Sequence, residues 1–229
     1  MTDGAKRSVA LVAPYAAWMA LMVALPATAW AYAVRGAVTA ALLIAALPTL
    51  LRQAPNPVNP VNPVSTPAAN HEPPAFAEAT AGRRITKAAF SVLAGLLVFV
   101  IWIAPEIWLG SLPGIPAAAP LAAADSPYSP EVCGWALTIA KLTASAFVIS
   151  AAEELFFRRW LVDFAGFWWM VALFAVEHGD RWAVGAVAGV VYGLVARRFG
   201  LFAAIVAHAV TNFALGLLVI FAGRWEFWR

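Results

Sequence analysis

Six polar residues could perform hydrolytic chemistry, although they lie in the most apolar part of the chain. They are two glutamates, an arginine, two histidines and an asparagine: Glu153, Glu154, Arg158, His178, His208 and Asn212. A carboxylate can act as a general base towards water, and imidazole and amide N–H groups can stabilise a developing oxyanion. Charged side chains within apolar segments are costly and therefore indicate functional sites. This set predicts general-base hydrolysis in a low-dielectric pocket.

The spacing of these residues predicts which of them share a helical face. Glu154 and Arg158 are four residues apart, as are His208 and Asn212, so each pair lies on one face of its helix. Glu153 points about 100° away from Glu154 and can face a different cavity. Glu154 can therefore pair with Arg158 instead of acting on a substrate.

Residue counts from two predicted turns place the polar side chains at a similar depth. Glu153 precedes a turn near Gly166 by 13 residues and His178 follows it by 12, so both lie roughly 18 to 20 Å from that turn. From a second turn, between the last two apolar segments, His208 lies about 14 Å away and Asn212 about 20 Å. We therefore predict that three helices bring these four side chains into one layer.

The composition excludes several classes of protein. The chain has 229 residues, of which 63% are hydrophobic and 12% charged, and its mean hydropathy is +0.79. Soluble domains are about half apolar and a quarter charged, so an ordinary soluble globule, a disordered chain and a nucleic-acid-binding domain are excluded. A single cysteine excludes a disulfide scaffold and a multi-cysteine zinc site.

The apolar pattern predicts an all-α, polytopic membrane helix bundle. Seven segments are candidate membrane spans, of which the second and the fifth are short for a helix that crosses the bilayer. We place them at 9–34, 36–51, 90–109, from 133 through Glu153 and beyond, 167–178, 182–196 and 201–222. They form N-terminal transmembrane helices at 1–51 and a larger helical unit at 88–229, whose core is 133–222. Between these units, 52–87 is predicted to be a non-helical cytoplasmic linker, because an Asn-Pro-Val repeat at 56–64 disfavours helix.

The positive charges predict the orientation of the chain. Lys6 and Arg7 place the N-terminus in the cytoplasm, because cytoplasmic loops of membrane proteins are rich in Lys and Arg. Further basic residues assign the linker, the turn after the fourth segment and the turn after the sixth to the same side: Arg52, Arg83, Arg84, Lys87, Arg158, Arg159, Arg197 and Arg198. The loop at 110–131 contains no Lys or Arg and is predicted to lie outside, as is the C-terminus.

Three motifs in this order, Glu-Glu-x-x-x-Arg, Phe-x-x-x-His and His-x-x-x-Asn, make residues 133–222 resemble a known family. This is the CAAX protease and bacteriocin-processing (Abi, or type II CAAX prenyl endopeptidase) family of intramembrane glutamic proteases. The segments 98–102, 208–217 and 225–228 also resemble its subgroup associated with exosortase and PEP-CTERM protein sorting.

The resemblance implies a role for each residue. Glu153 would be the general base that activates water, and His178 would share that water. His208 and Asn212 would stabilise the oxyanion, and Arg158 would orient the glutamate pair. The resemblance further implies a bacterial inner-membrane endopeptidase that acts on a membrane-associated protein or peptide, with the lipid bilayer as its environment, no nucleic-acid partner and no cofactor.

Three alternatives remain open. Glu153, His178 and His208 form a His₂Glu set, which is a known catalytic zinc arrangement, although the His-Glu-x-x-His signature is absent. A non-catalytic immunity or scaffold protein could use the same fold. A proton-coupled transporter could use buried Glu and His residues, but we see no inverted repeat of the kind that many transporters have.

Overall fold

The computed structural model describes residues 2–52, 74–109 and 119–228, and within these ranges the fold is all-α. Six helices are long and apolar enough to cross a membrane: α1 (Asp3–Ala24), α2 (Ala29–Arg52), α3 (Pro74–Ala104), α4 (Pro130–Ala165), α6 (Trp182–Phe199) and α7 (Leu201–Ala222). The helix α5 (Phe167–Glu177) is shorter. Short 3₁₀ turns lie at Ala123–Asp125, Gly179–Arg181 and Trp225–Trp228. The predicted polytopic helix bundle is confirmed.

The boundary between the first two helices differs from the prediction. We expected a break near Arg35, but α1 ends before Pro26 and Arg35 lies inside α2. Proline removes a backbone donor and disfavours helix in the residue before it, so it ends α1. The guanidinium of Arg35 then donates to the carbonyl oxygens of Leu21 (3.1 Å), Leu25 (2.6 Å) and Pro26 (2.8 Å), which satisfies the end of α1.

The predicted linker is shorter than expected on its C-terminal side. The helix α3 begins at Pro74, within the range 52–87 that we predicted to be non-helical, and a π-helical turn at Pro105–Leu109 follows it. After Pro74 the sequence has no proline until Pro105 and is rich in alanine, which favours helix. The Asn-Pro-Val repeat at 56–64 lies outside the described residues.

Two glycines make the turns on which the depth prediction depended. Gly166 (φ 90°) separates α4 from α5, and Gly200 (φ 97°) separates α6 from α7. Both conformations are strained for residues with a side chain, so glycine ends the helices here. We call this side of the bundle the glycine-turn end and the opposite side the far end, which carries the 3₁₀ turns at Gly179–Arg181 and Trp225–Trp228.

Basic residues gather at the glycine-turn end. Arg7 of α1 shares one surface cavity with Arg159, Arg159 shares another with Arg197, and Lys87 of α3 lies against Phe199 beside Gly200. The described part of the far end also carries basic residues, but Arg181 is paired with Glu106 and Arg224 with Glu226, and Arg35 and Lys141 are buried. The charge asymmetry seen in the sequence is therefore an asymmetry between the two ends of the folded bundle.

The helix α4 is not a regular α-helix. Two segments, Ala144–Ile149 and Leu155–Leu161, are π-helical, and the five α-helical residues between them include Glu153 and Glu154. Short π segments within α-helices often occur at functional sites because the extra residue redirects the side chains that follow. The glutamate pair is thus held between two irregular turns of a single long helix.

Candidate active site

Glu154 is the centre of a buried charge network. Its Oε2 lies 3.2 Å from Arg158 Nε, and both side chains are completely buried. Its Oε1 accepts a hydrogen bond from His208 Nδ1 at 3.0 Å. The Arg158 guanidinium also lies 4.0 Å from the centre of the Phe174 ring, a favourable position for a cation. The predicted pairing of Glu154 with Arg158 is confirmed, whereas its contact with His208 was not foreseen.

Glu153 faces a different side of α4 from Glu154, as its position one residue earlier predicts. Its Oε2 is buried, accepts no hydrogen bond from the described residues and lies 3.7 Å from His208 Nε2. Glu153 lines a cavity of about 80 Å³, which we call the small cavity, together with His178, His208 and Asn212. A cavity of this size has room for more than one water molecule. The predicted layer of four polar side chains is therefore present.

The ring of His178 has a defined orientation. Its Nδ1 lies 2.7 Å from the carbonyl oxygen of Phe174, one helical turn earlier, so we assign the proton to Nδ1 and leave Nε2 as an acceptor. Trp102 of α3 approaches the ring edge-on at 5.1 Å. On α6, a Cβ added to Gly185 would lie 3.0 Å from the Cβ of His178, so the glycine leaves room for this histidine.

His208 is covered on one face by a residue that the sequence analysis did not identify. The Tyr192 ring stacks on it at 4.7 Å with 19° between the planes. The Tyr192 hydroxyl donates to Thr211 Oγ1 at 2.7 Å, and Thr211 in turn donates to the carbonyl oxygen of Gly95 at 2.7 Å. These hydrogen bonds link α6, α7 and α3. A tyrosine and a threonine within apolar helices are the sequence signal that could have revealed them.

Asn212 is committed to contacts within the protein. Its Nδ2 donates to the carbonyl oxygen of Ser145 and to Ser150 Oγ, both at 3.1 Å. An amide nitrogen carries two protons, so neither is free for an oxyanion in this arrangement. Both partners lie at the first π segment of α4, and Asn212 therefore ties α7 to that irregular turn.

The donor set for the zinc alternative is not assembled in this structure. Within the described ranges, no three His, Cys, Asp or Glu side chains are grouped so that they could hold a metal ion. Glu153 and His208 approach each other, but His178 does not complete a ligand set with them. The metal-independent mechanism stays a prediction.

A second and larger cavity leads from this layer towards the far end. It has a volume of about 450 Å³, and Glu153, His178 and Asn212 form one part of its wall. Other parts of the wall are aromatic and basic, and include Tyr32, Arg35, Tyr128, Lys141 and Trp228. We call it the large cavity. Volumes of this size are typical of sites that bind small ligands or short peptide segments.

All six predicted residues lie within a single stretch of sequence that matches a known family. Residues 135–214 match the family described as type II CAAX prenyl endopeptidase Rce1-like. This is a family of membrane proteases, and the match covers about a third of the chain. No curated protein and no solved structure matches the chain significantly. The resemblance to Rce1-like proteases is confirmed over this range, and the match suggests CAAX-type intramembrane protease activity, whereas the exosortase-associated subgroup stays a prediction.

Proposed function

We propose that the chain is an intramembrane endopeptidase in which Glu153 activates water to hydrolyse a peptide bond of a membrane-associated protein. One observation carries the proposal: Glu153 shares the small cavity with His178, His208 and Asn212, while the neighbouring Glu154 is occupied by Arg158. The two glutamates therefore have separate tasks. Glu154 holds the framework, and Glu153 remains available to water.

The reaction would begin with proton transfer from water to Glu153. The resulting hydroxide attacks the scissile carbonyl and forms a tetrahedral intermediate. His208 Nε2 can donate to its oxyanion when the ring carries both protons, and the Glu154 carboxylate at Nδ1 then balances the charge of the ring. Collapse of the intermediate breaks the C–N bond, and the leaving amine takes the proton held by Glu153, directly or through Nε2 of His178.

The orientation of the chain sets the side from which a substrate enters. Basic residues at the glycine-turn end support a cytoplasmic position for that end and for the N-terminus. The large cavity leads from Glu153 towards the opposite, far end. We therefore propose an inner-membrane protease whose substrate segment enters from the extracytoplasmic side. A role beside PEP-CTERM sorting is compatible with that direction.

The decisive experiment compares C-terminal peptides from membrane proteomes of the wild-type strain and a Glu153→Gln strain. A Glu131→Gln strain is the matched control, because Glu131 lies on the same helix and is exposed. We expect truncated C-termini in the wild type and in the control, and the intact C-termini in Glu153→Gln. Identical peptides in all three strains would refute the protease and favour a non-catalytic scaffold.

Metal dependence needs a separate test with the purified full chain. We expect cleavage to persist after chelation and the protein to contain no stoichiometric zinc. If zinc co-purifies in equal amount, and chelation abolishes a cleavage that added zinc restores, the zinc-dependent mechanism replaces water activation by Glu153 alone.

A further inference from the structure

The large cavity has a wall built from one face of α4. Lys141, Ser145, Ile149 and Glu153 all line it, each four residues after the last. In a regular α-helix of 3.6 residues per turn, a four-residue spacing drifts around the helix. The π-helical segment Ala144–Ile149 takes more residues per turn and offsets that drift. The irregular helix thus places Lys141 and Glu153 on the same wall.

Lys141 is buried without an acidic partner. Only 9% of the residue is exposed, and its Nζ lies 3.6 Å from the centre of the Tyr32 ring, 4.7 Å from that of Tyr128 and 5.7 Å from that of Trp228. Among the residues that the structure describes, no Asp or Glu forms an ion pair with it. Buried lysines are rare unless a charge or a ligand balances them.

A second cation strengthens the positive character of this region. Arg35 lines the same cavity, is 5% exposed, and donates only to backbone carbonyl oxygens in the described part of the chain. Burial raises the pKa of Tyr128, which keeps this neighbouring phenol neutral, although Arg35 acts in the opposite direction. The acidic residues of the cavity wall are Glu153 and Glu177, which lie at the end of the cavity that contains His178 and Asn212. Among the described residues, two basic side chains and no acidic one therefore border the space near Lys141.

The distance along α4 indicates where an anion would lie on a substrate. Twelve residues separate Lys141 from Glu153, which corresponds to about 18 Å in a regular α-helix and to slightly less here, because the π-helical segment between them takes more residues per turn. An extended peptide covers about 3.3 to 3.6 Å per residue, so about five residues would span this distance. A volume of about 450 Å³ suits a short extended segment rather than a folded chain.

We propose that Lys141, assisted by Arg35, binds a carboxylate of the substrate about five residues from the scissile bond. This inference rests on the proposed endopeptidase function and adds a specificity determinant to it. Ammonium and guanidinium groups form short, charge-assisted hydrogen bonds with carboxylates, and these are stronger in a pocket shielded from water. The carboxylate can belong to the end of the substrate chain or to an Asp or Glu side chain.

Equilibrium binding of short peptides to the purified full chain tests this site without requiring cleavage. The probes are an acetylated apolar pentapeptide with a free C-terminal carboxylate, the same peptide as its C-terminal amide, and an amidated version that ends in Asp. Calorimetric titration measures the three affinities. We expect at least one carboxylate peptide to bind wild type about tenfold more tightly than the neutral amide, and the better of the two identifies the source of the carboxylate.

Two substitutions locate the effect. In Lys141→Met the carboxylate and amide peptides should bind with about equal affinity. In Lys141→Arg most of the preference for the carboxylate should remain. Lys87→Met is the matched control, since Lys87 is an exposed lysine at the glycine-turn end, and it should keep the full preference. Equal binding of acidic and neutral peptides by wild type, no binding at millimolar peptide, or a preference that survives in Lys141→Met would each overturn the proposal.

The outcome is separable from that of the protease test. If the carboxylate preference is present but Glu153→Gln leaves the proteome unchanged, the anion site exists and the protease proposal fails. If cleavage depends on Glu153 but no peptide shows the preference, the protease stands and Lys141 is a structural residue held by its aromatic rings. Should Lys141→Met not fold, the wild-type comparison and Lys141→Arg still decide.

Discussion

The two ends of α4 each bury a cation, and the surroundings of the two cations are opposite. Towards the glycine-turn end, Arg158 meets the carboxylate of Glu154 and the face of Phe174. Towards the far end, the Lys141 ammonium lies beside three aromatic rings, and no Asp or Glu in the described part of the chain forms an ion pair with it. A paired charge is fixed and serves to position its neighbours, whereas an unpaired charge facing a cavity is available to a ligand. We call the part of the site around Arg158, Glu154 and His208 the framework region. We call the part of the large cavity around Lys141 and Arg35 the recognition region.

Replacing each cation by methionine tests this difference, and we expect the largest effect, a loss of unfolding free energy, in Arg158→Met. Arg158→Met leaves Glu154 buried beside His208 without its cation, and loss of one partner from a buried pair costs about 3 to 5 kcal/mol of unfolding free energy in soluble proteins. Lys141→Met removes a charge that has no carboxylate, so we expect a change of under about 1 kcal/mol, or a gain. Reversible unfolding of the purified protein by denaturing detergent measures both.

The double variant Arg158→Met/Glu154→Gln is the control for this prediction. It removes both charges, so most of the stability lost in Arg158→Met should return. The single variant Glu154→Gln completes the double-mutant cycle, which then gives the coupling energy of the pair. Similar losses in Arg158→Met and Lys141→Met would contradict the distinction between a framework charge and a free one.

Much of the framework region could be predicted from the sequence. The pair Glu154 and Arg158 follows from a four-residue spacing, and the meeting of Glu153, His178 and His208 follows from two glycine turns and a residue count. Both depend on local geometry that is the same in every α-helix. The catalytic roles of these residues stay predictions, because placement alone does not test them.

The recognition region could not be predicted, for reasons that lie outside local helix geometry. The π-helical segment Ala144–Ile149 has no signature in the residue pattern, and without it Lys141 would not share a wall with Glu153. Arg35 was assigned to a loop because the break at Pro26 was overlooked. The commitment of Asn212 to Ser145 and Ser150 depends on how α7 packs against that π segment, which is a property of the folded bundle.

A second prediction distinguishes the role of His208 in catalysis from the role of Asn212 in stability. If His208 donates to the oxyanion, His208→Phe should lower kcat by about 10²- to 10³-fold with little change in KM, as loss of such a donor does in other enzymes. Asn212→Ala should lower stability, because it removes two hydrogen bonds that join α7 to α4, by about 1 to 3 kcal/mol. Steady-state kinetics on a substrate found in the proteome, with unfolding measurements, distinguish the two.

The reverse result for Asn212 would sharpen the mechanism. A loss of kcat as large as that of His208→Phe, at unchanged stability, would mean that the Asn212 amide leaves Ser145 and Ser150 during the reaction and turns to the substrate. Ser150 offers the check: in Ser150→Ala one of the two hydrogen bonds is gone, so stability should fall slightly while kcat is kept if Asn212 only positions α7.

The smallest expected effect comes from loosening the support of His208. Tyr192→Phe keeps the ring that stacks on His208 but removes the hydroxyl that donates to Thr211. A buried hydrogen bond between neutral groups contributes about 0.5 to 1.5 kcal/mol, and Thr211 keeps its bond to Gly95. We therefore expect a stability loss of about 1 kcal/mol and a several-fold decrease in kcat. Tyr192→Leu, which also removes the stacking, should lower kcat further. If both variants lose stability but keep wild-type kcat, the stack on His208 serves only folding, and the framework region would then position Glu154 and Arg158 without controlling the orientation of the imidazole.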